Sequence, residues 1–94
     1  MVQPVKDSAG RFGMFSIFDA KALFFAVPFV STNNGTACRS FSELVNNKDS
    51  DCYKHPDDYI LYRIGSWDDS HGIVLAEPPV NLGVAISFKE VSHV

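Results

Sequence analysis

Apolar and polar positions alternate along three stretches of the chain, which predicts three β-strands. The first stretch, MFSIFDAK at residues 14–21, carries apolar side chains on both faces. The second, LFFAVPFV at residues 23–30, contains Pro28, which lacks a backbone amide donor and therefore predicts a sheet edge or a bend. The third stretch is DYILYRIGSW at residues 58–67. Its alternation assigns Ile60, Tyr62 and Ile64 to one face, and Tyr59, Leu61, Arg63 and Trp67 to the other.

The period changes between the second and third stretches, in TACRSFSELVNN at residues 36–47. Its apolar residues fall at helical spacing, which predicts an amphipathic helix. Thr36 is suited to cap the start of this helix, and Asn46 with Asn47 is suited to end it. Phe41 and Leu44 lie on the apolar stripe and are expected to face the sheet.

The third strand is followed by a turn signal. In DDSHG, residues 68–72, aspartate side chains can bond to nearby backbone amides and Gly72 can adopt a positive φ. The sequence IVLAE then predicts the second arm of a hairpin. The last segment, residues 78–91, is ambiguous: two prolines interrupt it and Asn81 could cap a short helix, but Val84, Ile86 and Phe88 alternate. We favour a strand there.

Length and composition limit the architecture. The chain has 94 residues, enough for one domain, and 46% of them are hydrophobic, which is typical of a folded globule. Residues 1–13 offer no periodic apolar face and are expected to form a flexible arm. The remaining residues, 14–94, are predicted to form a single α+β domain. We expect a mostly antiparallel sheet of three to five strands, packed by one amphipathic helix.

The charge balance argues against strong nonspecific binding to nucleic acid. Eight lysines and arginines stand against eleven acidic residues, giving a net charge of −3, and the cations are spread along the chain. The start of the chain does not resemble a secretory signal, and the apolar run at residues 22–30 is too short to span a bilayer. We therefore expect a protein of the cytosol, in which Cys38 and Cys52 remain free thiols.

No motif predicts catalysis, a metal or a cofactor. Adjacent aspartates point to opposite faces of a strand, so the pairs 57–58 and 68–69 do not share a site by spacing. The histidines have no metal-ligand spacing, and no glycine-rich loop or nucleophile elbow occurs. The chain is therefore expected not to be an enzyme and to carry no cofactor.

The aromatic residues of the third strand are the better functional lead. Tyr59 and Trp67, with Phe18, could present a surface on which nucleic-acid bases stack, with Arg63 beside them. The competing interpretation is that these rings belong to the core or to a dimer interface, because a small domain needs large side chains for both. Neighbouring aspartates would repel phosphate and weigh against stacking.

Several segments resemble the small nonstructural protein of gokushovirus-type microviruses, which are tailless bacteriophages with circular single-stranded DNA. The resemblance covers about residues 14–90. Its most specific part is KHPDDY at residues 54–59, followed by Leu61-Tyr62, Gly65 and Trp67-Asp68; Phe18-Asp19 and Lys21 fit as well. It implies a role at the switch from duplex replication to single-strand synthesis and packaging, in the cytoplasm of the bacterial host. It supplies no catalytic residues.

The leading hypothesis is therefore a phage nonstructural protein that binds single-stranded DNA or the replication–packaging complex. The alternative is a protein–protein adaptor that docks on a phage initiator, a host replication factor or a capsid precursor without touching DNA. A homodimer is expected in either case, because a short chain with apolar residues on both strand faces has surface left to cover. The proposed DNA contacts are Lys21, Arg39, Lys54 and Arg63 for phosphate, and Tyr59 and Trp67 for stacking.

Overall fold

A computed structural model of the chain describes Lys6 and residues 10–90. These residues form an α+β domain in which five antiparallel strands build a curled sheet and one long helix covers one of its faces. The strands are β1 (Phe12–Asp19), β2 (Phe24–Phe25), β3 (Phe29–Ser31), β4 (Tyr59–Asp68) and β5 (Ile73–Val84). The helices are α1 (Asn34–Val45), the short α2 (Asp51–Lys54) and a 3₁₀ turn (Ala85–Phe88).

The sheet is organised around β1 and β4, which pair along their whole lengths. β5 continues the sheet beyond β4 as the second arm of the predicted hairpin. On the other side of β1, β2 and β3 pair with its two ends, and Pro28 lies in the bend between them. The predicted fold class is thus confirmed, with the two short edge strands replacing one longer strand.

Side chains of β1 alternate between two environments. Phe15 and Ile17 face α1, whereas Ser16 and Phe18 face away from it. We call the side covered by α1 the inner face and the opposite side the outer face. The core lies between the inner face and the helices. Its fully or nearly fully buried residues are Phe15, Ala37, Phe41, Val45, Cys52, Leu61 and Ala85.

The cap of α1 differs from the prediction. Asn33 is the N-cap residue and accepts a hydrogen bond from the backbone amide of Thr36, whose side chain accepts one from the backbone of Asn33 in return. Thr36 therefore occupies the third helical position of a reciprocal capping box. The helix ends at Val45 with Asn46 as its C-cap. Phe41 packs edge-on against Phe88 with ring centroids 5.2 Å apart.

A β-bulge at Ile64 changes the face of the sheet on which the following β4 side chains lie. Met14 lies opposite Gly65 and Phe15 lies opposite Arg63, so Ile64 has no partner in β1. Because of this extra residue, Ser66 lies on the same face as Arg63, from which its hydroxyl accepts a hydrogen bond, while Trp67 points to the outer face. The prediction that Arg63 and Trp67 share a face was wrong, because it assumed unbroken alternation.

The last segment combines a strand with a helical turn. β5 passes through Pro78 and Pro79, where the pairing with β4 is irregular, and as an edge strand it tolerates residues without amide donors. The strand predicted for Ile86 and Phe88 is wrong: Ala85–Phe88 forms a 3₁₀ turn, which places Ala85 in the core and Phe88 against α1. Gly83, with φ of +142°, comes just before this change of direction.

Two connecting segments carry local structure that alternation does not report. The connector before β4 contains α2, capped by the Ser50 side chain, which accepts from the amide of Tyr53. The turn after Asp68 follows the predicted chemistry, since the Asp68 carboxylate accepts from the amide of Ser70 and Gly72 has a φ of +67°. β1 begins at Phe12, two residues before the predicted start, and most of the predicted arm lies outside the described residues.

Candidate interaction site

The outer face of the sheet is a continuous apolar surface. Register and alternation place thirteen side chains on it, and none of them is charged. Five of the thirteen are aromatic, and four further rings lie on the inner face of the same strands. The outer-face residues are Phe12, Met14, Ser16, Phe18, Phe25, Val30, Ile60, Tyr62, Trp67, Val74, Ala76, Asn81 and Val84.

Three of the rings form a cluster at one end of the outer face. The centroids of Phe18 and Phe25 are 4.7 Å apart, and both rings meet Tyr62 at 6.2 and 5.5 Å with their edges or at a steep tilt. The cluster covers Ser16, which is buried and donates its hydroxyl hydrogen to the backbone carbonyl of Ala26 at 2.6 Å. Phe25 nevertheless keeps 46% of its surface exposed.

The other end of the outer face is built around Trp67. This side chain lies between Phe12 on β1 and Val74 on β5, which occupy the paired positions of the ladder. The Lys6 ammonium lies 4.8 Å from the centre of the Phe12 ring and pairs with Asp69 at 3.0 Å. A cation therefore borders this end of the face, but it already has a carboxylate partner.

Arg63, the central phosphate contact of the sequence hypothesis, lies in a polar network on the inner face. Its guanidinium donates to Glu77 at 3.3 Å, to the side-chain oxygen of Asn34 at 2.7 Å and to Ser66 at 3.1 Å. It also lies over the Phe15 ring, 5.7 Å from the centroid. Only 12% of the Arg63 side chain is exposed. The network ties β4 and β5 to the first turn of α1, which is a structural role.

The other predicted contacts lie on several elements of the fold. Arg39 is exposed on α1, and Lys54 is exposed at the end of α2. Lys21 and Tyr59 do come together, since both line a small cleft at the end of β1. Trp67 lies on the outer face, on the opposite side of the sheet from Tyr59. Lys21 and Tyr59 are thus the two predicted contacts that line a shared cleft.

A family match now gives these surfaces a context. Residues 12–88 match the model of the phage ORF5 protein family. The chain belongs to this family. The match runs from the first residue of β1 to the last residue of the 3₁₀ turn, so it covers the whole described fold. No curated protein and no solved structure matches the chain.

The surroundings of Tyr59 in this ORF5-family protein are acidic. Burial raises the pKa of the Tyr59 hydroxyl, and the carboxylates of Asp19, Asp51 and Asp58 raise it further. The same negative field repels phosphate, so the cleft that joins Lys21 to Tyr59 is poorly suited to a nucleic-acid backbone. The stacking role predicted for Tyr59 has no electrostatic support at this position.

The thiols and metal-ligating side chains in the described part of the ORF5-family protein form no site by themselves. Cys38 and Cys52 are free thiols, as predicted, and burial raises the pKa of both. Among Lys6 and residues 10–90, no three metal-ligating side chains form a cluster. No described helix is long and apolar enough to cross a membrane.

Sequence reasoning overlooked the outer face as a unit. The sequence prediction places Phe12 in the arm and includes none of Phe25, Tyr62 and Val74 among the site residues. The alternation of MFSIFDAK, with apolar residues on both faces, was the signal that could have found it. This alternation predicts a strand that has an apolar surface to bury on both of its faces.

Proposed function

We propose that this phage protein acts in genome replication and packaging as a protein–protein adaptor, and that it dimerises through the outer face of its sheet. The observation that carries the proposal is the composition of that face: thirteen positions without a charge, of which five are aromatic. Interface cores are depleted in charged residues and enriched in aromatic residues and methionine.

A second copy is the occupant that fits the outer face best. A two-fold dimer buries the same patch on both subunits, and an uncharged, apolar sheet surface is complementary to itself. Two sheets packed face to face interdigitate their side chains about 10 Å apart, as in sandwich folds. Val30 and Val74 are 48% and 58% exposed in the single chain, so they have surface to bury on association.

The genomic setting belongs to the proposal as well. KHPDDY at residues 54–59 and the segments that follow it resemble the nonstructural protein of gokushovirus-type microviruses. That resemblance supports a role at the switch from duplex replication to single-strand synthesis and packaging, inside the bacterial host. An adaptor that holds two partners together suits such a switch, and it needs neither a cofactor nor catalysis by the chain.

Single-stranded DNA binding is the second candidate, and the five outer-face rings favour it. Bases stack on aromatic side chains of open sheets, and each stacked base contributes about 1–3 kcal/mol. The cations suggested for phosphate count against this candidate, because Arg63 is held by Glu77 on the inner face and Lys21 lies in a cleft with the carboxylates of Asp19 and Asp58. If Lys21, Arg39 and Lys54 all neutralised phosphates, the log–log salt slope would be about −2.

One substitution on the outer face separates the two candidates. Val74→Glu places a carboxylate beside Trp67, and we expect it to convert a dimer into a monomer in sedimentation velocity without changing the circular dichroism spectrum. Ile86→Glu is the matched control, because Ile86 is 46% exposed on the helical side of the domain. It should leave the dimer intact.

The same proteins are then titrated into a labelled thirty-nucleotide oligothymidine at low and near-physiological salt, with duplex DNA as a control. The adaptor proposal expects no saturable binding. A monomeric wild-type protein, or a dimer that survives Val74→Glu, would rule out the outer-face interface. Saturable binding of the single strand that Val74→Glu or Trp67→Ala abolishes would establish the second candidate instead.

A further inference from the structure

An open groove lies on the inner side of the domain, away from the outer face. It has a volume of about 480 Å³ and runs between the end of β1, the short strand β2 and the segment that joins α1 to α2. Leu44, near the end of α1, also lines it. The floor and walls are formed by Ile17, Phe24, Ala26, Leu44, Cys52 and Tyr59.

The floor of the groove is apolar and continues into a second hollow. Ile17 and Leu44 line both spaces, and the second hollow extends beneath Phe29 and Phe41. One lip carries large apolar side chains in water: Leu23 is 76% exposed and Phe24 is 55% exposed. An occupant therefore needs apolar side chains that enter a narrow space.

Leu23, next to Phe24 on this edge of the groove, has an unusual backbone conformation. Its φ is +62°, in the left-handed region that branched side chains rarely adopt, and its backbone amide donates to the carbonyl of Asp19 at 2.7 Å. Strain at an exposed apolar residue that covers no core calls for another explanation. Contact with a partner would give this side chain something to pack against.

Three carboxylates stand at the mouth of the groove. Asp19, Asp49 and Asp51 line it, and among the described residues none of the three forms an ion pair. Lys21 lines the neighbouring cleft beside Asp19, so the local balance remains negative. Anionic groups around an apolar space favour a ligand that combines apolar side chains with positive charge.

We infer that this groove binds a short peptide segment of another protein, in which one or two large apolar residues are flanked by lysines or arginines. The apolar residues occupy the space between Ile17 and Leu44, and the flanking cations meet the carboxylates at the mouth. A second copy of this acidic chain is a poorer match. This inference names the partner class of the proposed adaptor and so rests on that proposal.

The geometry gives the adaptor two binding positions. Because the groove opens on the inner side, dimerisation through the outer face leaves one groove accessible on each subunit. A partner that displays two basic apolar segments would then bind both subunits, and the second contact would form at a high effective concentration. The dimer thereby becomes a bivalent clamp.

The test uses fluorescence anisotropy with three labelled synthetic peptides and the full-length protein. The first peptide has a leucine–phenylalanine–leucine centre flanked by lysines, the second replaces the lysines with glutamates, and the third replaces the centre with serines. We expect saturable binding of the first peptide alone, weakening with added salt because the carboxylates are exposed to solvent. No saturable binding, or equal binding of the glutamate peptide, would overturn the inference.

Two groove variants locate the binding. Ala26→Phe fills the space from an exposed position and should weaken binding at least about tenfold, since it excludes the apolar centre. Asp49→Asn combined with Asp51→Asn removes two charges from the mouth and should weaken binding by about fivefold at low salt. Asp57→Asn, an exposed aspartate outside the groove, is the matched control and should change nothing. Undiminished binding by Ala26→Phe would overturn the inference.

The sheet-face variant separates this inference from the proposed dimer. Val74→Glu should abolish dimerisation but leave the affinity for the lysine peptide unchanged, while the groove variants should keep the wild-type mass. If Ala26→Phe instead converts a dimer to a monomer, the groove is occupied by a second copy and the peptide inference fails. The two hypotheses can therefore fail separately.

Discussion

On the inner face of the sheet, Phe15 and Leu61 are fully buried under α1, whereas on the outer face Phe25 and Val74 keep 46% and 58% of their surface exposed. The residue types on the two faces are similar, and both faces are built from the same strands. The difference is the cover: one helix of twelve residues lies on one side, and no described element lies on the other. An apolar pattern therefore predicts that a strand face is buried, but not whether the same chain or a partner buries it.

The faces also differ in how they use polar groups. The inner face contains a charged residue, Arg63, whose hydrogen bonds to Glu77, Asn34 and Ser66 satisfy it within the fold. The outer face contains no charge among its thirteen positions. Specific interior contacts thus fix how β4, β5 and α1 pack, while the outer face offers area without fixed partners. This contrast is the physical basis for the proposal that the inner face stabilises the fold and the outer face mediates association.

The largest expected effect comes from breaking the inner face. Phe41 is 2% exposed and packs against Phe88, so Phe41→Ala should lower the free energy of unfolding by about 3–4 kcal/mol. Phe25→Ala on the outer face removes a half-exposed ring that contacts Phe18 and Tyr62, and should cost about 1–2 kcal/mol in the isolated chain. Urea unfolding at several protein concentrations measures both. Phe41→Leu, which should cost about 1 kcal/mol, keeps the test informative if the alanine variant does not fold.

The dependence on protein concentration separates the two substitutions further. The cost of Phe41→Ala should be independent of protein concentration, because the side chain contacts only its own subunit. If the outer face forms the proposed dimer interface, the cost of Phe25→Ala should rise with concentration, because dimerisation stabilises the wild type by mass action. Equal costs for the two variants would contradict the division of the sheet into a core face and an association face.

The second effect concerns the polar network. Arg63→Ala leaves the Glu77 carboxylate, 35% of whose side chain is exposed, without its guanidinium partner and uncovers the Phe15 ring. We expect a loss of about 2 kcal/mol, which lowers the melting temperature of a domain this size by roughly 8–16 °C. Arg39→Ala, the exposed control on α1, should cost no more than about 0.5 kcal/mol.

Thermal unfolding followed by circular dichroism distinguishes these two arginines. The sequence hypothesis treated both as phosphate contacts, and under that hypothesis both substitutions would weaken DNA binding with little effect on stability. A melting temperature for Arg63→Ala equal to that of Arg39→Ala would contradict the structural role of Arg63.

The overall fold could be read from the sequence because its signals are periodic. Alternation at residues 14–21 and 58–67, and the spacing of Ala37, Phe41 and Val45, predict two central strands and the helix that covers them. The turn after Asp68 was predictable because aspartate and glycine have direct backbone roles there. These signals are local, and each depends on a few neighbouring residues.

The candidate site could not be read in the same way. The face that each later side chain of β4 occupies depends on a single extra residue, Ile64. The sequence does not distinguish an isoleucine in a bulge from one in a regular strand. The partners of Arg63 come from α1 and β5, which are distant in sequence. The burial of its side chain therefore cannot be predicted from a pattern of neighbouring residues. The sequence therefore predicts which residues are large or charged, but not which of them meet.

The smallest expected effect is a pH dependence confined to the inner face. Cys52 is 4% exposed, and burial, followed by the charges of Asp51 and Asp19, raises the pKa of its thiol. The folded chain therefore keeps this proton to a higher pH than the unfolded chain, whose thiol ionises near pH 9. The resulting contribution to stability is complete below that pH and declines as the pH rises through the folded pKa.

Urea midpoints at about pH 8 and pH 9.5 measure this decline. Both pH values lie below the ordinary pKa of tyrosine, and that of Tyr59 is raised, so the two thiols dominate the change in stability between them. We expect Cys52→Ala to lower stability at both pH values, because it leaves a small cavity, but to reduce the alkaline decline by less than about 1 kcal/mol. Adding Cys38→Ala should remove most of what remains, since burial raises the pKa of that thiol too. An undiminished decline in the double variant would show that neither thiol has a raised pKa in the folded chain, which would contradict the closed inner face around Cys52.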